Sequence, residues 1–252
     1  MIAVFNVIGW LIFVLIGLAV LQRRVHYEFQ AIILLLTKRV DLTILLFSIV
    51  FLPGVFLHEI SHFLMAKLLR VPTGKFSILP KPLPGGKLQL GYVETSGTDI
   101  GRDALIGFAP LLIGTFTIAY ISFFQLEILS TLITNGKVSL EFGRIIIFQM
   151  YNQPDFWLWL YLILVISSTM FPSSTDRRSW LPMIVQFIGI IILAISFGVG
   201  PWILQQVGPD LNLFFLGLAY VFGISTFIHF LLLIPLWALR FLLVQLTGMK
   251  VA

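Results

Sequence analysis

The sequence predicts an all-α polytopic membrane protein of about six transmembrane helices, with a small membrane-associated β-hairpin. Three observations predict it. Hydrophobic residues make up 59% of the 252 residues and charged residues only 11%, against about 25% charged in a soluble domain. The apolar residues fall in runs of roughly 20, long enough to cross the hydrocarbon core as helices. One extended polar region, 71–102, holds two alternating stretches, "KFSIL" and "KLQLGYVET", about the turn string "PKPLPGG". That is the pattern of a hairpin with a loop longer than two residues.

The elements follow in order. A first span covers about 2–21 and stops at Arg23-Arg24. It lacks a basic leading segment, so it reads as a retained span and not a cleaved signal peptide. Residues 22–41 carry charges around "AIILLL". This patch is too short to cross, and it predicts an interfacial or re-entrant segment. The second span, about 42–69, contains Pro53-Gly54, which favours a kink. The hairpin occupies 75–94. A third span covers about 103–126, with Gly107 and Gly114 suited to close helix packing. Residues 127–155 give no clear assignment. The fourth span is about 156–171, the fifth 181–200 and the sixth 211–234, with a tail after Pro235. The resulting divisions are 1–41, 42–180 and 181–252. The tryptophans suit interfacial belts, and His26 reads as an interface residue.

Net charge is +5, scattered among apolar spans, so no nucleic-acid surface is expected and the lipid bilayer is the first partner. Six alternating spans put ten of the sixteen Lys and Arg on the side holding Arg70 and Arg102, and six on the side holding Arg23 and Lys137. The first side is the expected cytoplasmic one. The 22–41 segment counts the other way and leaves the orientation of the first span open. The chain has no cysteine, which excludes disulfides, thiolate metal sites and a cysteine nucleophile.

Within the second span stands "HEISH", residues 58–62. His58 and His62 are four apart and share one helix face, so both imidazoles can reach one metal ion. Glu59 points beside that ion. Two ligands and a general base in this spacing are the apparatus of metal-assisted hydrolysis. Ionisable groups at membrane depth are costly and mark function by default, roughly 2.5–3.5 kcal/mol for a charged residue on insertion scales. The bland alternative is a hydrogen-bonded cluster that packs helices.

A catalytic zinc takes three protein ligands and keeps one position open. The third ligand comes from His229, Asp176, Glu94, Asp99, Asp103 or Asp155. His62 lies eight residues before Arg70, about 12 Å along the axis, toward the side where the second span ends. The fourth span ends on that same side, and Asp176 follows in the turn string "PSSTD". Depth therefore favours Asp176, with a loop carboxylate paired to Arg177 or Arg178 as its bland reading.

Several strings in order resemble the site-2 protease family of intramembrane zinc metalloproteases. "HEISHFLMAKLL" resembles its HExxH helix. "VPTGKFSILPK" and "LGYVE" resemble its β-hairpin, and "GFAPLLIGT" its alanine-glycine-proline helix. "FPSSTDRR" stands where the family's Leu-Asp-Gly loop supplies the last ligand. The resemblance spans about residues 45–180. Thr175-Asp176-Arg177 replaces Leu-Asp-Gly, "FAP" replaces "AGP", and Ser168 lies near the place of the family's asparagine.

The resemblance implies His58, His62 and Asp176 as ligands of Zn2+ and Glu59 as the catalytic base. It implies a membrane-protein substrate with a transmembrane helix, and a prokaryotic cytoplasmic membrane with the active site toward the cytoplasm. An extended substrate strand pairing with the hairpin edge makes Tyr92, Val93 and Glu94 the substrate-binding candidates, with Gly85-Gly86 and the kink at Pro53 as a mobile entrance; the alternative is a hairpin that only shields the site from lipid. The expected activity is hydrolysis of peptide bonds within or near transmembrane segments. The alternative is a metal-binding scaffold subunit among other membrane subunits. A metal transporter ranks low, because the fifth span is almost without polar residues.

Overall fold

The computed structural model describes residues 2–82, 88–128, 144, 147–148 and 151–249. Helices dominate, with a small antiparallel hairpin inserted after the second. Among the described residues, four helices are long and apolar enough to cross a membrane. These are α1 (Ile2–Thr37), α2 (Val40–Leu68), α3 (Ile100–Tyr120, extended by a π-helical turn at Ile121–Gln125) and α7 (Gly208–Thr247). Helices α4 (Phe156–Thr169) and α5 (Trp180–Ser196) are apolar but shorter, and α6 (Gly200–Gln206) is a short connector. Most of the unassigned stretch 127–155 lies outside the described residues.

Three ends differ from the sequence reading. The chain makes no turn at Arg23-Arg24, and α1 continues to Thr37, where Lys38 at φ 55° breaks it. Its 36 residues span about 54 Å, well beyond a hydrocarbon core of about 30 Å. Similarly, α7 runs through Pro235 and stops at Gly248. One contact set explains both. Glu28 on α1 is fully buried and ion-paired to Arg240 on α7, with Arg24 one turn away. The Arg24 and Arg240 guanidinium groups lie 5.3 and 5.7 Å from the Tyr27 ring. Charges that read as a span's end are partners along a helix pair. The fifth span also ends sooner than expected, at Ser196, near Gly198 at φ 76°.

Helix α2 packs against α1, α3 and α4. In lipid the driving force for this is close packing, which favours small residues at crossings. A Cβ on Gly54 would lie 2.3 Å from the Val165 carbonyl oxygen of α4, so only glycine permits this approach. Pro53 does not end the helix, and the Tyr161 hydroxyl of α4 donates to the Val50 carbonyl at 2.6 Å. Phe47, Phe51, Ile118, Ile163 and Val165 fill the buried centre.

The hairpin has two nested antiparallel pairs. Strand β1 (Thr73–Ser77) pairs β4 (Tyr92–Thr95), with Phe76 opposite Val93 and Ser77 opposite Tyr92. Strand β2 (Lys81–Pro82) pairs β3 (Leu88–Gln89). Gly85-Gly86 lies outside the described residues. Asp99 caps α3, accepting from the Arg102 N–H at 3.0 Å. That bond holds its carboxyl below the usual carboxylate range.

Candidate metal centre

Helix periodicity brings the two histidines together. Their rings are 4.8 Å apart and nearly perpendicular, and the two Nε2 atoms are 3.1 Å apart. Asp176 arrives from the loop after α4. Its Oδ1 lies 3.4 Å from His62 Nε2, and its Oδ2 lies 3.8 Å from His58 Nε2. One ligand atom from each of the three residues falls within 4.8 Å of the others, so the cluster can hold a metal ion.

The atoms present fit a cation. His62 Nδ1 donates to the Ile106 carbonyl at 2.8 Å. This fixes the tautomer and turns the Nε2 lone pair toward the cluster, as second contacts of metal-bound imidazoles do. The Nε2 atoms of both rings and the Asp176 carboxylate then face one another. Bonds of about 2.0–2.1 Å in tetrahedral directions set ligand atoms roughly 3.3 Å apart, close to the spacings found. His58 Nδ1 is buried without a partner of good geometry, with the Thr169 backbone beside the ring.

The Asp176 loop has its own local order. The Ser173 N–H donates to Asp176 Oδ2 at 2.7 Å, and the Asp176 N–H donates to Ser173 Oγ at 3.3 Å. This reciprocal pair is a capping box, whose signature Ser-x-x-Asp stands in the sequence. It occupies one carboxylate oxygen and leaves Oδ1 toward His62. Neither neighbouring arginine takes the carboxylate: Arg178 pairs with Asp103, and Arg177 Nε donates to the Ser173 carbonyl.

Glu59 is 7% exposed and lines a cavity of about 640 Å³ that also holds His58, His62 and Asp176. The hairpin covers it: a Cβ on Gly91 would lie 2.7 Å from Glu59 Cγ. A glycine inside a strand pattern marks such close approach, which was the available signal for Gly91. Tyr92 and Val93 line the cavity. Glu94 instead accepts from the Lys75 N–H on the partner strand at 3.1 Å.

The remaining third-ligand candidates are engaged elsewhere. His229 donates from Nδ1 to the Ser225 carbonyl and accepts at Nε2 from the Ser168 hydroxyl, both at 2.8 Å. Asp103 binds Arg178, Asp99 caps α3, and Asp155 precedes α4. Two residues have roles the sequence reading missed. His26 lines the cavity and packs edge-on against Phe51 at 4.7 Å, whereas its place near Arg24 suggested the interface. Gly107 packs closely against the Asp176 backbone, a contact its reading as a helix-packing residue did not include. The Ile106 contact uses a carbonyl, which leaves no side-chain signal.

No family model matches the chain, and neither does any curated protein or solved structure.

Proposed function

We propose that this chain is an intramembrane zinc metalloendopeptidase that hydrolyses peptide bonds within or near transmembrane segments of membrane proteins. His58, His62 and Asp176 hold the zinc, and Glu59 is the general base. The observation that carries this reading is the meeting of three ligand atoms within 4.8 Å beside a buried glutamate, in a cavity lined by a helix apolar enough to cross a membrane.

Bound zinc supplies Lewis acidity toward a carbonyl and a water of lowered pKa. The protein supplies the rest. His62, locked by the Ile106 carbonyl, and Asp176, locked by Ser173, hold two of the three ligand atoms without reorganisation. Glu59 accepts a proton from the attacking water at its carboxylate and returns it to the departing amine. The substrate helix unwinds to expose its amide, and the edge of β4 away from β1, unpaired among the described residues and with Tyr92 and Val93 on the cavity, receives the extended strand. The site faces the cytoplasm of a prokaryotic cell in this reading.

The test compares wild type with Glu59→Gln, each expressed with single-span membrane proteins as reporters. Wild type is expected to contain about one zinc per chain and to generate fragments. Glu59→Gln is expected to keep the metal and generate none. Identical fragment profiles from both, with zinc bound, would reject the peptidase and leave a metal-binding scaffold.

A further inference from the structure

Asp103, Ile106 and Gly107 lie on one turn of α3, and their i, i+3, i+4 spacing puts them on one face. Each meets a different part of the metal cluster. The Ile106 carbonyl receives His62 Nδ1. Gly107 makes room for the ligand loop: a Cβ there would lie 2.0 Å from the Asp176 carbonyl oxygen. Asp103 receives Arg178 by two parallel bonds, Nε to Oδ2 at 2.8 Å and a terminal nitrogen to Oδ1 at 2.5 Å. The Ser179 hydroxyl donates to the same carboxylate.

Arg178 and Ser179 follow Asp176 by two and three residues. The ligand loop is therefore held at its start by the Ser173 capping box and at its end by Asp103. The Asp103 side chain is only 12% exposed, and two-point guanidinium–carboxylate contacts are among the stronger and more directional ones. Arg178 is the more exposed partner, at 56%, and both residues line the cavity that holds the cluster.

We propose that this turn of α3, acting through the Asp103–Arg178–Ser179 clamp, is the positioning element that keeps Asp176 in the ligand set and sets how long a metal ion is retained. The proposal rests on the reading of His58, His62 and Asp176 as metal ligands. Asp103 and Arg178 line the cavity but lie outside the ligand set, each engaged with the other. They are positioning residues, and contacts of this kind are worth about 10–100-fold in metal affinity.

The full chain in detergent is loaded with Co2+, and its visible absorption is followed after excess EDTA is added. Arg178→Ala is expected to speed metal loss about 10–100-fold. Arg178→Lys, which keeps the charge but not the fork, is expected to fall between. The decisive comparison is made in an Asp176→Ala background, where Arg178→Ala is expected to add nothing, because its effect passes through Asp176. Equal acceleration in both backgrounds, or none in the wild-type background, would overturn the clamp while leaving the ligand set standing. Should Asp176→Ala itself leave metal loss unchanged, or wild type take up no Co2+, the ligand reading fails and the clamp with it.

Discussion

The two halves of the candidate metal centre are built by different physics. His58 and His62 meet because they stand one turn apart on α2, and any unbroken helix over those residues would bring their rings together. Asp176 meets them only because a loop is pinned at both ends and seated on α3. The local half needs a helix. The remote half needs the packing of α2, α3 and the loop all at once. Damage to tertiary contacts should therefore weaken the site by degrees, and damage to the helix pair should abolish it.

The largest expected effect lies in the local half. Structural zinc sites with four ligands bind with about 10–16 kcal/mol, so removing one imidazole by His58→Ala or His62→Ala should cost about 2.5–4 kcal/mol, roughly a hundredfold to a thousandfold in affinity. Competition with chelators of graded strength measures this. Glu59→Gln, on the same helix, is expected to lower the proposed peptidase activity by about 10²–10⁴-fold while leaving metal affinity in place. Activity and metal content measured on one preparation separate the two quantities.

Gly107→Ala attacks the remote half alone. The added methyl collides with the Asp176 backbone, so metal affinity should fall by about 10–100-fold while both histidines still bind. An affinity equal to wild type would show that the loop does not depend on this seat. Gly54→Ala is the counterpart in the helix packing. It forces α2 away from the α4 backbone and should cost about 1–3 kcal/mol of stability, read by unfolding in detergent. Its effect on metal affinity should be smaller than that of Gly107→Ala, and the reverse ranking would contradict the comparison.

The same divide separates what was legible in the sequence from what was not. The apolar runs, the hairpin and the His58–His62 face are local patterns, and the sequence displays them. Asp176 was legible through the turn string that carries it, but its holders were not. Asp103 reads as a spare ligand until Arg178 is placed beside it, and Gly107 reads as a helix-packing residue until the loop is seen on it. The ends of α1 and α7 were misread for a like reason. Arg23-Arg24 and Pro235 are stop signals locally, while Glu28 and Arg240 tie the two helices together beyond them. His26 followed its charged neighbours to the interface on paper and faces the cavity in the fold.

The smallest expected effect is at the α3 cap. The Arg102 N–H, ahead of the Arg102 charge, holds the Asp99 carboxyl below its usual range. Its folded pKa is lower than its unfolded one. Its contribution is therefore present above the unfolded value and disappears as pH falls through the folded value. Asp99→Ala should lower the unfolding temperature slightly at neutral pH and not at all in strong acid. A constant difference across pH would mean the cap acts through something other than its charge.

Zinc-edge X-ray absorption of the loaded protein tests the ligand set most directly. Two imidazoles are expected, with oxygen ligands at about 2.0–2.2 Å completing the shell, and one of those oxygens should come from Asp176. A shell with three imidazoles would draw in His26 or His229 and contradict the assignment, as would a spectrum that Asp176→Ala leaves unchanged.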